Sequence, residues 1–130
     1  MDDFTYHEVL DLWIAKRSFL DREIEVRLYC SGDDNFCSLA KKTLDDVRAN
    51  WELLKQAICE ELLPQYLDHA VEDVDADAFF SKLTLQTIDM DAVDIMYTIF
   101  FSDAGLFGGH GIQVLWDPEK EFTADVSLVG

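Results

Sequence analysis

Residues Asp94–Gly130 read DIMYTIFFSDAGLFGGHGIQVLWDPEKEFTADVSLVG. This stretch decides the fold, because its residues alternate in a way that only strands use. In Ile95-Tyr97-Ile99-Phe101 large residues alternate with Met96, Thr98 and Phe100. Strand side chains point to opposite faces with period two, so both faces of this strand are apolar and it belongs inside a sheet. Ser102-Asp103-Ala104-Gly105 interrupts it with turn-forming residues. Ile112–Trp116 is a second strand, and Asp117-Pro118-Glu119-Lys120 supplies a turn in which proline presets φ. Phe122, Ala124, Val126 and Leu128 then alternate with Thr123, Asp125 and Ser127, which predicts a half-buried strand with a polar outer face.

Between the first two strands lies Leu106-Phe107-Gly108-Gly109-His110-Gly111. Three glycines in four positions permit positive φ and close backbone approach. The segment predicts a connection or bulge that starts the second strand beside the first, with Phe107 as its anchor in the core. It is also the candidate loop for chemistry: Asp103, Phe107, Gly108, Gly109 and His110. Asp103 and His110 flank it, and a carboxylate that orients an imidazole is half of a general-base arrangement. The loop has neither the length nor the following helix of a phosphate-binding loop, and no GxGxxG or GxxxxGK[ST] pattern is present.

The order of these features, an apolar strand, an aspartate turn, Phe107-Gly-Gly-His110 and another apolar strand, resembles a group of small bacterial domains of unknown function with a C-terminal phenylalanine, any residue, glycine-histidine signature. Some proteins of that kind are immunity-protein-like, so the resemblance implies a non-enzymatic binder. It supplies no active site to carry over.

Upstream, Ile24, Val26 and Leu28 alternate with Glu23, Glu25 and Arg27, so residues 23–30 predict a strand. Tyr6, Val9, Leu10, Trp13 and Ile14 fit a helical face. The same region also fits a strand from Val9 or Trp13 to Phe19 that closes a hairpin at Leu20-Asp21-Arg22; the short gap favours the hairpin. Ser31–Asn35 is a loop that ends in helix-capping residues. One long helix is predicted from Phe36 to Leu63, with Phe36, Ala40, Leu44, Val47, Trp51, Leu54, Ile58 and Leu62 on one stripe. Pro64 is expected to end or kink it. A short helix over Ala76–Leu83 and a strand at Leu83–Ile88 follow, and Asp89–Ala92 turns the chain toward Asp94.

The fold expected from these elements is a single α+β domain, residues 1–130. It has an antiparallel sheet of about five or six strands, with one long helix and one short helix on one face. The other face is left partly exposed.

Composition narrows function further. The chain has 27 Asp and Glu against 10 Lys and Arg, a net charge of −17. Nucleic acids and anionic membrane surfaces repel such a chain, whereas a basic protein is attracted and steered. The expected partner is therefore a basic protein, with no nucleic acid and no membrane, and self-association is possible. No run of eighteen apolar residues and no signal-peptide layout occur, so a cytoplasmic location is expected. Residues 68–78, DHAVEDVDADA, contain the candidate docking patch Glu72, Asp73, Asp75 and Asp77. The Asp73-x-Asp75-x-Asp77 spacing is similar to the start of a calcium loop, but Ala78 and Thr84 stand where glycine and glutamate are needed. His7, His69 and His110, with Cys30, Cys37 and Cys59, form no zinc spacing. The cysteines read as small, mostly buried apolar residues. No metal, cofactor or catalytic residue is assigned.

The sequence thus points to an acidic protein-binding module, of the kind that inhibits a basic toxin or nuclease, and not to an enzyme. The alternatives are a small hydrolytic or metal-dependent enzyme centred on Asp103 and His110, or a structural, oligomeric protein.

Overall fold

The computed structural model describes residues 4–68, 74–103, 105–118 and 124–129. Seven strands form one sheet in chain order: β1 (Thr5–His7), β2 (Leu12–Phe19), β3 (Arg22–Tyr29), β4 (Thr84–Asp91), β5 (Met96–Ser102), β6 (Gly111–Trp116) and β7 (Ala124–Val129). Three helices, α1 (Phe36–Ala49), α2 (Trp51–Leu67) and α3 (Ala76–Ser81), all lie in the connection between β3 and β4.

That placement corrects the expected sheet. Neighbouring strands pair antiparallel except β3 and β4, which run parallel from Glu25↔Thr87 to Tyr29↔Asp91. The sheet is therefore mixed and has seven strands; it is not an antiparallel sheet of five or six. A short turn reverses the chain, but a connection holding three helices can return it to the end where it began, and β4 then starts alongside β3. Read as a succession of turns, the sequence hides this.

The hairpin reading of the N-terminal region holds. Leu20 and Asp21, at φ 49° and 64°, form the two-residue turn between β2 and β3. Positive φ at both central residues matches the right-handed twist of the strands. Before it, β1 pairs with β2 from Thr5↔Ile14 to His7↔Leu12 and forms an edge strand.

Of the predicted helical stripe, Phe36, Ala40, Leu44, Val47, Leu54, Ile58 and Leu62 are in the core, and Trp51 is half-buried against it. Each large apolar side chain so buried contributes about 1.5–3 kcal/mol. The single long helix, however, is two. Asn50 leaves helical geometry (φ −111°, ψ 17°), and its side-chain amide donates to the Asp46 carbonyl at 2.9 Å. The Asp46 carbonyl also keeps the backbone N–H of Asn50 at 3.1 Å, so the side chain caps the end of α1 as the backbone turns away. At the other end Pro64 does not stop the helix; α2 runs on to Leu67 with the proline inside it.

The helices pack on one face of the sheet. Phe36 meets Trp13 with ring centroids 4.7 Å apart, and Trp51 sits against Phe19 at 5.6 Å, Phe80 at 5.6 Å and Phe101 at 6.0 Å. On α1, Asp46 accepts the hydroxyl of fully buried Tyr97 at 2.5 Å and the Lys42 ammonium at 2.8 Å. Burial, and then the hydrogen bond to Asp46, push the Tyr97 phenol up to about 12.

The opposite face bears the alternate residues of the same strands, among them Glu25, Arg27, Thr87, Asp89, Thr98, Phe100 and Leu115. There Arg27 forks onto Asp89 with bonds of 2.6 and 2.7 Å and lies 5.7 Å from the Phe100 ring centre. Asp89 is only 6% exposed, and its burial raises the carboxyl above the ordinary range despite the guanidinium beside it. Among the described residues no helix is long and apolar enough to cross a membrane.

Candidate functional site

The glycine-rich loop is built on Asp103. Ser102 and Gly111 pair across β5 and β6, so residues 103–110 close a compact loop on the sheet end. Asp103 opens it and is 2% exposed. Its Oδ1 accepts the backbone N–H of Gly105 at 2.8 Å; its Oδ2 accepts those of Phe107 at 2.9 Å and Gly109 at 3.2 Å. The Asp103 carbonyl also accepts the Leu106 N–H at 2.9 Å. Convergence of so many amides on one carboxylate needs left-handed backbone, which Gly108 and Gly109 supply at φ 78° and 89°. Burial by itself pushes the carboxyl up. The backbone N–H groups of Gly105, Phe107, Gly109 and His110 outweigh it and leave the carboxyl below its ordinary 3.8.

The sequence places Asp103 and His110 on one loop, and the structure assigns them different tasks. The Asp103 carboxylate holds the backbone N–H groups of Gly105, Phe107 and Gly109, while His110 is exposed. An aspartate at a strand end followed by glycines is itself a signal for this arrangement, since Asp side chains bond the backbone of the residues that follow.

Phe107 is half-buried and makes the expected anchor. Its ring packs edge-on against Tyr66 of α2 and Phe79 of α3, each at 6.2 Å. A cavity of about 480 Å³ opens beside it, lined by Gln65, Tyr66 and Asp68 from the end of α2, Leu106, Phe107 and His110 from the loop, and Leu128 from β7. This volume falls within the range of roughly 300–1,000 Å³ seen for ligand pockets. Sequence reasoning found the loop side of this cavity and missed the helix side, because nothing local to Gln65, Tyr66 or Asp68 connects them with residues some forty positions later.

The predicted docking patch is distributed otherwise. Glu72 and Asp73 lie outside the described residues, as does His69. Asp75 caps α3, accepting the Ala78 N–H at 2.8 Å, and Asp77 pairs with Lys55 of α2. Asp75 thus stabilises the start of α3, and Asp77 ties α3 to α2. Of the cysteines, Cys59 is buried and Cys30 half-buried, but Cys37 is exposed on the first turn of α1, contrary to the apolar reading of all three. Among the described residues, no three His, Cys, Asp or Glu side chains are grouped to hold a metal ion.

Residues 1–125 match a family model described as an uncharacterized protein conserved in bacteria (DUF2262). No curated protein and no solved structure matches the chain.

Proposed function

The chain belongs to the DUF2262 family of uncharacterized bacterial proteins, and on that premise we propose that it is an acidic protein-binding module that captures and inhibits a basic protein, in the manner of an immunity protein against a basic toxin or nuclease. The observation that carries this reading is the way the charge is spent. Lys16, Arg27, Lys41, Lys42, Arg48 and Lys55 are each in an ion pair with one of the chain's own carboxylates. At least these six cations, among the described residues, are engaged by the chain's own acids, and with 27 Asp and Glu against 10 Lys and Arg the chain keeps a net charge of −17.

Such a field accelerates encounter with a positively charged partner and disfavours nucleic acid. The resemblance to small immunity-like bacterial domains supports the same reading. A cytoplasmic site of action follows from it, since a protective inhibitor meets its target where the target would do damage.

The test is capture from a native bacterial lysate at low salt, followed by reconstitution with the purified captured protein. The expected result is a defined complex with a basic protein, an affinity that falls as salt rises, and loss of the partner's own activity in the complex. Absence of any complex, or a complex indifferent to salt, would overturn the reading.

A further inference from the structure

We propose that the cavity between the last turn of α2 and the Asp103 loop receives a basic side chain, arginine or lysine, of the partner protein. This inference rests on the reading of the chain as a binder of a basic protein and assigns the place of contact.

Four features converge on a cation. First, the cavity lies at the C-terminal end of α2, where helix dipoles leave partial negative charge. No basic residue stands in that last turn, and the C-cap is itself an acid, Asp68. A carboxylate at the negative end of a helix is poorly placed for the helix alone, and a cation brought between them relieves both. Second, Gln65 donates its amide nitrogen to the Glu61 carbonyl at 3.0 Å, which reserves its amide oxygen as an acceptor. Third, Tyr66 and Phe107 line the cavity as an edge-to-face pair, and aromatic faces attract guanidinium and ammonium groups. Fourth, Leu106 and Leu128 supply apolar wall for the methylene stem that arginine and lysine carry behind the charge.

Among the described residues, none that lines the cavity is a lysine or arginine. His110 also lines the cavity and in its neutral form offers a ring nitrogen as a further acceptor. The loop wall is held by the bonds to Asp103, so its shape exists before the ligand arrives and little ordering is needed on binding.

The experiment uses three probes on the intact chain: N-acetyl-arginine amide, N-acetyl-lysine amide and the uncharged N-acetyl-norleucine amide. Binding is followed by nuclear magnetic resonance at the backbone amides of Leu106, Phe107, His110 and Leu128. Both cationic probes should shift these resonances in a saturable manner, and norleucine much less. Asp68→Asn, an exposed change that the fold tolerates, should weaken the cationic probes about two- to fivefold. Asp94→Asn, on the turn after β4, removes the same charge elsewhere and should leave them unchanged. The captured partner protein should displace the probe.

Cationic probes that leave the cavity amides unmoved would overturn the proposal, and so would binding that Asp68→Asn does not weaken. A salt-sensitive partner complex that fails to displace the probe would also overturn it while the proposed function stands. Probe binding without any protein complex would instead remove the parent reading and assign the cavity to a free organic cation.

Discussion

The Asp103 carboxylate accepts the backbone N–H of Gly109, six residues further along the chain, at 3.2 Å, and the same oxygen accepts that of Phe107 at 2.9 Å. One buried acid thus fixes both the shape of the loop and the wall of the cavity. Asp103→Ala should cost about 2–3 kcal/mol in chemical denaturation, the scale of a lost set of charge-assisted bonds. Hydrogen exchange at Phe107 and Gly109 should accelerate beyond what the global loss accounts for.

The same group sets an acid limit. Its carboxyl lies below 3.8 in the folded chain, so the folded state releases this proton more readily than the unfolded chain does. The stabilisation is fully present above the unfolded value and is lost as pH falls through the folded one. Asp103→Asn should flatten the fall in stability below about pH 4, measured by denaturation at stepped pH.

Tyr97 predicts the alkaline limit. Its phenol titrates at about 12 against an ordinary 10.0, so the neutral form is favoured in the fold. That contribution is complete below 10.0 and disappears as pH rises through about 12. Phenolate absorbance should show one tyrosine that ionises only near the alkaline unfolding transition, and Tyr97→Phe should abolish that component.

Arg27 and Asp89 are a partly buried fork on the sheet face away from the helices. Arg27→Met leaves Asp89 buried without its partner and should cost about 3–5 kcal/mol. Replacing both by apolar residues, Arg27→Met with Asp89→Leu, should recover most of that loss. A double-mutant cycle by urea denaturation gives the coupling.

Gly109 separates backbone strain from steric clash. Its φ is 89°, and a Cβ built there meets no heavy atom of the described residues within 4 Å. Gly109→Ala should therefore cost only about 1–2 kcal/mol, from the left-handed backbone alone, with the fold unchanged. The thermal midpoint checks it.

The strands around the loop were legible in the sequence because alternation at Tyr97, Ile99 and Phe101, or at Ile24, Val26 and Leu28, is a local property. The helical stripe was legible for the same reason, since steps of three and four put Leu54, Ile58 and Leu62 on one side whatever lies beneath. Two local breakers misled in opposite directions. Asn50 carries no strong stop signal, yet the helix divides there, where its backbone leaves helical geometry. Pro64 carries a strong one, yet α2 continues, because buried Leu62 and half-buried Tyr66 hold the chain against the core on either side of it. On the loop, Asp103 and His110 were found as neighbours, but which atoms of Asp103 would meet which groups depended on the turn of the glycines.

By itself the sequence determined the strands from β2 onward, the buried stripe and the strand faces, which depend on spacing along the chain, and the excess of negative charge, which depends on composition; it missed the edge strand β1 and the division of the long helix. Only the tertiary structure decided that β4 runs parallel to β3, and that the end of α2 meets the Asp103 loop and β7 to form a cavity. Both follow from where three helices dock between Tyr29 and Thr84. Docking is settled by the packing of side chains far apart in sequence, as when Trp51 fits among Phe19, Phe80 and Phe101, and no local periodicity records it.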